Sequence, residues 1–164
     1  MFQYSFANVD LILTADYAGR PAENPEQFKV SGFATGENLI TATRRAPIAT
    51  TTFGAYGTMV VNMQRITAGD LSFPVLMNSE ENKYLQDWAN YFQQQAQADG
   101  QLITPIQGLI KDNMGNDKVT MTNGVILAIP TLTRGQTMST NTWVVTFEDM
   151  VYDRGQGGDA DNLI

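Results

Sequence analysis

The sequence predicts a mainly β protein, an antiparallel β-sandwich or barrel with one flanking α-helix over about residues 79–97. Threonine is abundant, with 18 residues, and 14 glycines are spread along the chain, as is typical of short strands joined by turns. Most apolar segments alternate with a period of two, and only one has a helical period. At 164 residues and 43% hydrophobic content, one domain can build its own core.

The N-terminal part of the chain alternates strand and loop signals. Residues 5–15 place apolar and polar side chains on opposite faces, which predicts a half-buried strand. Residues 17–26 hold two prolines and a glycine and predict a long loop. Residues 27–35 and 38–44 predict two further strands, separated by a tight turn at Gly36-Glu37.

The middle of the chain predicts a second long loop, at residues 45–57, and then a hairpin at residues 58–77. Apolar residues alternate through the hairpin and give it one apolar face. This face comprises Met59, Val61, Met63, Leu71, Phe73, Val75 and Met77. The polar face carries Thr58, Asn62, Gln64, Asp70 and Ser72.

The helix is predicted from apolar residues at helical spacing between Ser79 and Gln97. Asn78 or Ser79 can cap its N-terminus, and Glu80 and Glu81 suit its first turn. The helix is expected to end before Gly100. Strands are then predicted, separated in the middle by a polar turn at residues 111–117; they cover residues 102–110, 118–122, 124–129 and 141–151.

The last twelve residues differ in composition from the rest. Residues 153–164 are rich in glycine and aspartate and predict a tail with little structure in an isolated subunit. Residues 1–152 are therefore expected to form a single β domain, and residues 153–164 a C-terminal tail.

Composition excludes much of enzyme chemistry. The chain has no cysteine and no histidine, so it has no thiol nucleophile, no thiolate or imidazole metal ligand and no histidine base. Glu80 and Glu81 point about 100 degrees apart on a helix and cannot flank one bond. The acidic run 112–117 lacks the glutamate that completes a calcium loop and predicts a polar hairpin turn. We therefore expect no enzyme activity, no cofactor and no metal site.

Net charge bears on the partners. The formal charge is −7 and the isoelectric point is near 4.4, which disfavours stable binding of nucleic acid but not its passage. Arg44-Arg45 is the only basic pair, and a subunit-contact or solvated role suits it better than a nucleic-acid patch. No apolar run reaches about 18 residues, so membrane anchoring is not expected. The start of the chain lacks the basic flank of a secretion signal, so no cleavage is expected.

Three stretches in order resemble the tail tube proteins of contractile-tailed bacteriophages. They are residues 33–44, residues 53–57, and residues 70–79 with Asn82 and Leu85. The resemblance covers about residues 28–92 and implies a β-sandwich or barrel with one flanking helix, shared with the tube proteins of type VI secretion. It implies a structural virion protein, assembled in the host cytoplasm, whose hexameric rings stack into a tube that carries DNA during ejection. The implied partners are further copies of the chain, the tail sheath, the tape-measure protein, the baseplate and the tail terminator.

Under this resemblance, the polar face of the predicted hairpin supplies the candidates for residues that line the lumen. A wall of neutral amides and carboxylates offers sliding phosphates nothing to hold. The lumen candidates are Thr58, Asn62, Gln64, Asp70 and Ser72. The two long loops and the C-terminal tail are candidates for contacts between subunits and between rings.

A different function class also fits the composition. A carbohydrate- or receptor-binding β-sandwich of a virion or baseplate could use Trp143 or exposed tyrosines as a stacking platform. Such a module is expected to stay monomeric or to form a small closed oligomer. A glycosidase using only carboxylates is less favoured, because the sequence pattern places no suitable pair.

Overall fold

The computed structural model describes residues 5–15, 21, 25–33, 39–97, 105–113 and 115–154, with the backbone alone for Ala96. A short 3-10 turn at Phe6–Asn8 precedes the first strand. The strands are β1 Val9–Thr14, β2 Gln27–Lys29, β3 Thr41–Arg44, β4 Ala49–Phe53, β5 Met59–Met63, β6 Gly69–Leu76, β7 Ile106–Asp112, β8 Lys118–Ile126 and β9 Thr140–Asp153. The helix α1 spans Glu80–Gln97.

Seven strands form one antiparallel sheet in the order β2-β1-β7-β8-β9-β6-β3. The segment that follows β2 joins the two ends of this sheet. The Val30 N–H donates to the Leu11 carbonyl at 2.8 Å, and the Leu76 N–H donates to the Gly32 carbonyl at 2.9 Å. Phe33 then forms a bridge with Val75. The sheet therefore curls into a barrel, and the expectation of a mainly β fold with one flanking helix is confirmed.

The barrel interior is filled by the alternate apolar residues of its strands. The most deeply buried of these are Leu11, Leu13, Leu71, Phe73, Val75, Ile106, Met121, Trp143, Val145 and Phe147. Two glycines make room for the largest of them. A Cβ on Gly124 would lie 2.5 Å from the Phe147 ring, and one on Gly108 would lie 3.1 Å from it. Phe147 therefore packs against backbone on two neighbouring strands, β7 and β8.

The helix lies against this barrel where the sequence predicts it. The Asn82 N–H donates to the Ser79 Oγ at 3.3 Å, so Ser79 is the N-cap. Leu85, Trp88 and Phe92 are buried in the same core as the strands, and the Trp88 ring lies 5.2 Å from that of Phe28. The helix prediction is confirmed.

The prediction of a long loop at residues 45–57 is wrong, and so is that of a hairpin at residues 58–77. Strand β4 lies within the predicted loop and pairs with β5, from Ala49 opposite Met63 to Phe53 opposite Met59. Strand β6 pairs instead with β3 and β9. A hairpin signal was present: Thr50–Phe53 is β-branched and aromatic, and residues 54–57 carry two glycines before the next apolar run.

Two other strand predictions also need correction. Strands β2 and β3 are not partners but occupy opposite ends of the sheet order. The strands predicted at 118–122 and 124–129 are one strand, β8, which bends at Asn123 with φ of 56° and ends at Ile126. Residues 127–129 continue its alternation in sequence but do not pair, because the pairing of β8 with β9 ends at Ile126 opposite Val145, and residues 140–144 of β9 pair with β6 alone.

Some predictions fall outside the described residues. They concern most of the 17–26 loop, the Gly36-Glu37 turn, the helix stop at Gly100 and residues 155–164 of the tail. Asp153 belongs to strand β9, so the regular structure continues one residue past the predicted domain end.

Candidate assembly surface

A two-stranded arm projects from the barrel. It comprises β4, β5 and their turn, residues 49–63, and forms a sheet of its own. Every residue from Thr50 to Met63 is exposed. The turn is held by a hydrogen bond from the Gly54 N–H to the Thr58 carbonyl at 2.7 Å, with Gly57 at a φ of 86°. A two-stranded hairpin alone is at best marginally stable in water, so this arm is expected to be covered in the working protein.

The arm has one apolar and one polar face. Directly paired residues share a face, and the apolar face consists of Ala49, Thr51, Phe53, Met59, Val61 and Met63. Phe53 and Met63 each expose about two thirds of their surface. On the other face, the Asn62 side-chain amide donates to the Thr52 hydroxyl at 3.4 Å. Residues 46–64 contain no charged side chain, which is unusual for an exposed segment of this acidic chain.

Two arginines fix the root of the arm to the barrel. The Arg44 guanidinium donates to the Met150 carbonyl at 2.8 Å and lies over the Tyr152 ring at 5.6 Å. The Arg45 Nε lies 3.1 Å from both carboxylate oxygens of Asp70. The Arg45 N–H also donates to the Ala68 carbonyl at 3.0 Å, which closes the base of the arm. Both side chains thus contact barrel strands next to the arm, and the subunit-contact and solvated roles expected for the pair stay predictions.

The Asp70 carboxylate forms hydrogen bonds on the barrel surface. It accepts a hydrogen bond from the Thr146 hydroxyl at 2.7 Å in addition to those from Arg45. Partial burial alone would raise the pKa of Asp70, but the hydrogen bonds from Arg45 and Thr146 and the charge of Arg45 outweigh it and hold this pKa below its usual value. The carboxylate therefore stays ionised and paired with Arg45 at neutral pH.

The five lumen candidates lie on two different surfaces. Asp70 and Ser72 lie on the outside of the barrel, on a polar surface of β6 and its neighbours β3 and β9. The same surface carries Thr41, Thr43, Thr142 and Thr146, together with Val144 opposite Ser72 and Pro74 opposite Thr142. Thr58, Asn62 and Gln64 lie on or next to the arm instead. The alternation was read correctly in both strands, but the two strands do not pair.

A second exposed apolar surface follows β8. The β8–β9 segment, residues 127–139, has no helix or strand, and its side chains are almost all exposed. The large apolar residues exposed there are Leu127, Ile129, Leu132 and Met138. Among the described residues, no backbone–backbone hydrogen bond joins residues 128–138 to another segment. The sequence signal was the alternation past Ile126, which predicted a strand to residue 129, where the described residues of one copy provide no pairing strand.

An apolar groove separates the β8–β9 segment from the helix. It has a volume of about 480 Å³. The helix wall is formed by Ala89, Phe92 and Gln93, and the other wall by residues 125–129. None of the described residues that line it carries a charge.

Metal-ligating side chains do not cluster in the described residues. Within these ranges, no three acidic, histidine or cysteine side chains come together as a metal site. The Glu81 carboxylate accepts hydrogen bonds from the N–H and hydroxyl of Ser31, so it ties the helix to the barrel. Across the described chain, no helix combines the length and the apolar character required to cross a membrane.

Trp143 cannot be a stacking platform, and that prediction is wrong. Its side chain is 1% exposed inside the barrel, and its indole N–H donates to the Asn82 side-chain oxygen at 2.8 Å. The physical reason is the inward position of Trp143 on β9, where it alternates with exposed residues. Tyr56, at the tip of the arm, is by contrast fully exposed.

Comparison with known proteins identifies the fold. No family model matches the sequence, and no curated protein matches it. Among solved structures, the chain is similar to the anti-feeding prophage cap (AFP tube terminating cap), determined by cryo-EM. The TM-score is 0.51 at 9% sequence identity, and the match covers 94% of this chain and 95% of that chain. The two chains share a fold over nearly their whole lengths.

Proposed function

We propose that the chain is a structural subunit of a contractile tail and forms the inner tube, as stacked hexameric rings through which DNA passes during ejection. The observation that carries the proposal is the exposed, charge-free arm on a barrel that is otherwise closed. A chain with a complete core gains nothing by exposing such a surface unless further copies cover it. The fold shared with a tube terminating cap supports the same class of assembly.

In this proposal the chain has a structural role in the tube and no catalytic role. Its partners are further copies of itself, the sheath, the tape-measure protein, the baseplate and the tail terminator. It is built into a virion after assembly in the host cytoplasm. No cofactor takes part.

A second candidate function is that of a tube terminating cap, which the fold likeness favours directly. A cap closes a tube with one ring and does not propagate, whereas a tube subunit adds ring upon ring. Size-exclusion chromatography and negative-stain imaging across a concentration series separate the two. Growing tubes support the tube subunit, single rings support the cap, and monomers at every concentration contradict both and favour the binding module.

The lumen residues are tested by introducing positive charge on each surface separately. Ser72→Lys places a cation on the barrel surface and Gln64→Lys places one beside the arm. We expect the substitution on the surface that lines the bore to slow genome ejection from assembled tails, because lysine holds phosphates. Asp70→Lys is a poorer test, since it also breaks the contact with Arg45 at the root of the arm. Unchanged ejection by both variants would remove all five candidates from the lumen.

A further inference from the structure

Two apolar surfaces are left uncovered by the described residues of one copy: the apolar face of the arm and the groove beside the β8–β9 segment. The arm leaves the barrel beside Gly69, at the start of β6. The β8–β9 segment returns to the barrel at Thr140, which pairs with Leu76 at the other end of β6. At about 3.4 Å per residue, these two points are about 24 Å apart.

The two surfaces match in character. Residues 46–64 and residues 119–133 are both free of charged side chains, although the chain carries a net charge of −7. Two copies of so acidic a chain repel each other, and a contact between charge-free surfaces places no like charges together and buries no unpaired charge. One surface projects from the barrel, and the other is a groove.

We propose that the apolar face of the arm of one copy packs into the groove between α1 and residues 125–129 of the next copy. Val61 and its neighbours would cover Leu127 and Ile129. The contact is heterologous, since the arm and the groove are different surfaces, and contacts of this kind build rings or filaments rather than closed dimers. The inference rests on the proposed function, because it names the partner surface for the arm in that assembly.

Cross-linking tests the contact directly, because the native chain contains no cysteine. Two single variants, Val61→Cys and Leu127→Cys, are mixed and treated with a short bismaleimide. Val60→Cys is the matched control, because it is adjacent, of the same size and similarly exposed but lies on the opposite face of the arm. We expect cross-linked dimer in the mixture to be several-fold stronger with Val61→Cys than with Val60→Cys, and neither arm variant to cross-link with itself.

Three outcomes would overturn the proposal. If the wild-type chain forms rings or tubes but Val61→Cys cross-links to Leu127→Cys no better than Val60→Cys does, the inference fails and the proposed function stands. Self-cross-linking of Val61→Cys alone indicates an arm-to-arm contact and also rejects the inference. If the wild-type chain stays monomeric at every concentration, both the inference and the proposed function fail.

A complementation experiment covers the case in which the cysteine variants assemble poorly. Val61→Glu removes the arm surface and Leu127→Glu removes the groove surface, at exposed positions where folding should persist. Each variant alone should stay monomeric, while their mixture should form one-to-one dimers through the remaining intact arm and groove. Absence of dimers in the mixture, with both variants folded by circular dichroism, contradicts the proposal.

Discussion

Strands β6 and β5 have the same alternation of apolar and polar residues and opposite burial. In β6, Leu71, Phe73 and Val75 are fully buried, because the barrel closes around them. In β5, the apolar side chains Met59 and Val61 remain about half exposed. The pattern thus determines which residues share a face, but the topology determines whether the chain can cover that face. The apolar face of β6 therefore stabilises the folded subunit, whereas we expect the apolar face of β5 to stabilise contacts between copies.

The largest expected effect is on the free energy of unfolding, compared between one substitution in the barrel and one in the arm. Phe147→Ala should lower the free energy of unfolding by about 3–5 kcal/mol, because it leaves a cavity beside Gly108 and Gly124. Phe53→Ala should change it by no more than about 0.5 kcal/mol, because Phe53 is two thirds exposed in one copy. Urea denaturation measures both values.

The arm variant should affect assembly more than it affects the stability of the subunit. Phe53→Ala should raise the concentration at which rings appear by size-exclusion chromatography while the isolated subunit keeps its stability. A loss of more than about 2 kcal/mol in the Phe53→Ala monomer would mean that the arm belongs to the cooperative core, and the comparison would then be wrong.

A finer comparison involves two buried tryptophans that are each 1% exposed, Trp143 inside the barrel and Trp88 on the helix that packs against it. The Trp143 indole N–H donates to Asn82, whose side-chain oxygen also accepts from Asn141 at 2.9 Å. Within the described part of the chain, the Trp88 indole N–H has no hydrogen-bond partner. Trp143→Phe should therefore destabilise the fold by about 1–2 kcal/mol more than Trp88→Phe. Equal losses of unfolding free energy in the two variants, measured by thermal or urea denaturation, would show that the hydrogen bond from Trp143 to Asn82 adds no stability. The losses would then reflect only the side-chain volume that both variants lose.

The sequence was sufficient for the elements whose partners are local or whose faces are buried. The helix was predicted to within one residue, because Ser79 caps it and its apolar residues recur at helical spacing. The inward residues Trp143, Val145 and Phe147 were also identified correctly. Strand pairing was not predicted correctly. Strand β4 was missed because its three consecutive threonines show no alternation of polar and apolar residues, and β6 was paired with β5 because the two are adjacent in sequence.

The sequence predicted only part of the candidate assembly surface. The apolar residues of β5 were identified, but they were assigned to a hairpin with β6, which does not form. No local pattern predicts that Arg45 reaches Asp70 across 25 residues, or that residues 125–129 face Ala89 and Phe92 across a groove. Both depend on the sheet order, which is a property of the whole chain.

The smallest expected effect concerns the joint between barrel and arm. Asp70→Asn removes the charge from the contact with Arg45, and its cost should stay below about 1 kcal/mol, because both side chains are partly exposed and solvent screens them. The pKa of Asp70 is lowered in the folded state, so the ionised form stabilises the fold. This contribution is complete above the usual aspartate pKa of about 3.9 and is lost as the pH falls through the lower folded-state value.

The difference in unfolding free energy between wild type and Asp70→Asn should therefore be largest near neutral pH and should vanish in acid. Urea denaturation at a series of pH values measures it, and a difference that persists unchanged to the lowest pH would show that the ionised pair is not its source. If Arg45 and Asp70 mainly orient the arm, the same substitution should shift the concentration for ring formation by more than it shifts stability. The contact between Arg45 and Asp70 would then couple barrel and arm. A small loss of stability in the barrel would change the orientation of the arm, which acts only in contacts between copies.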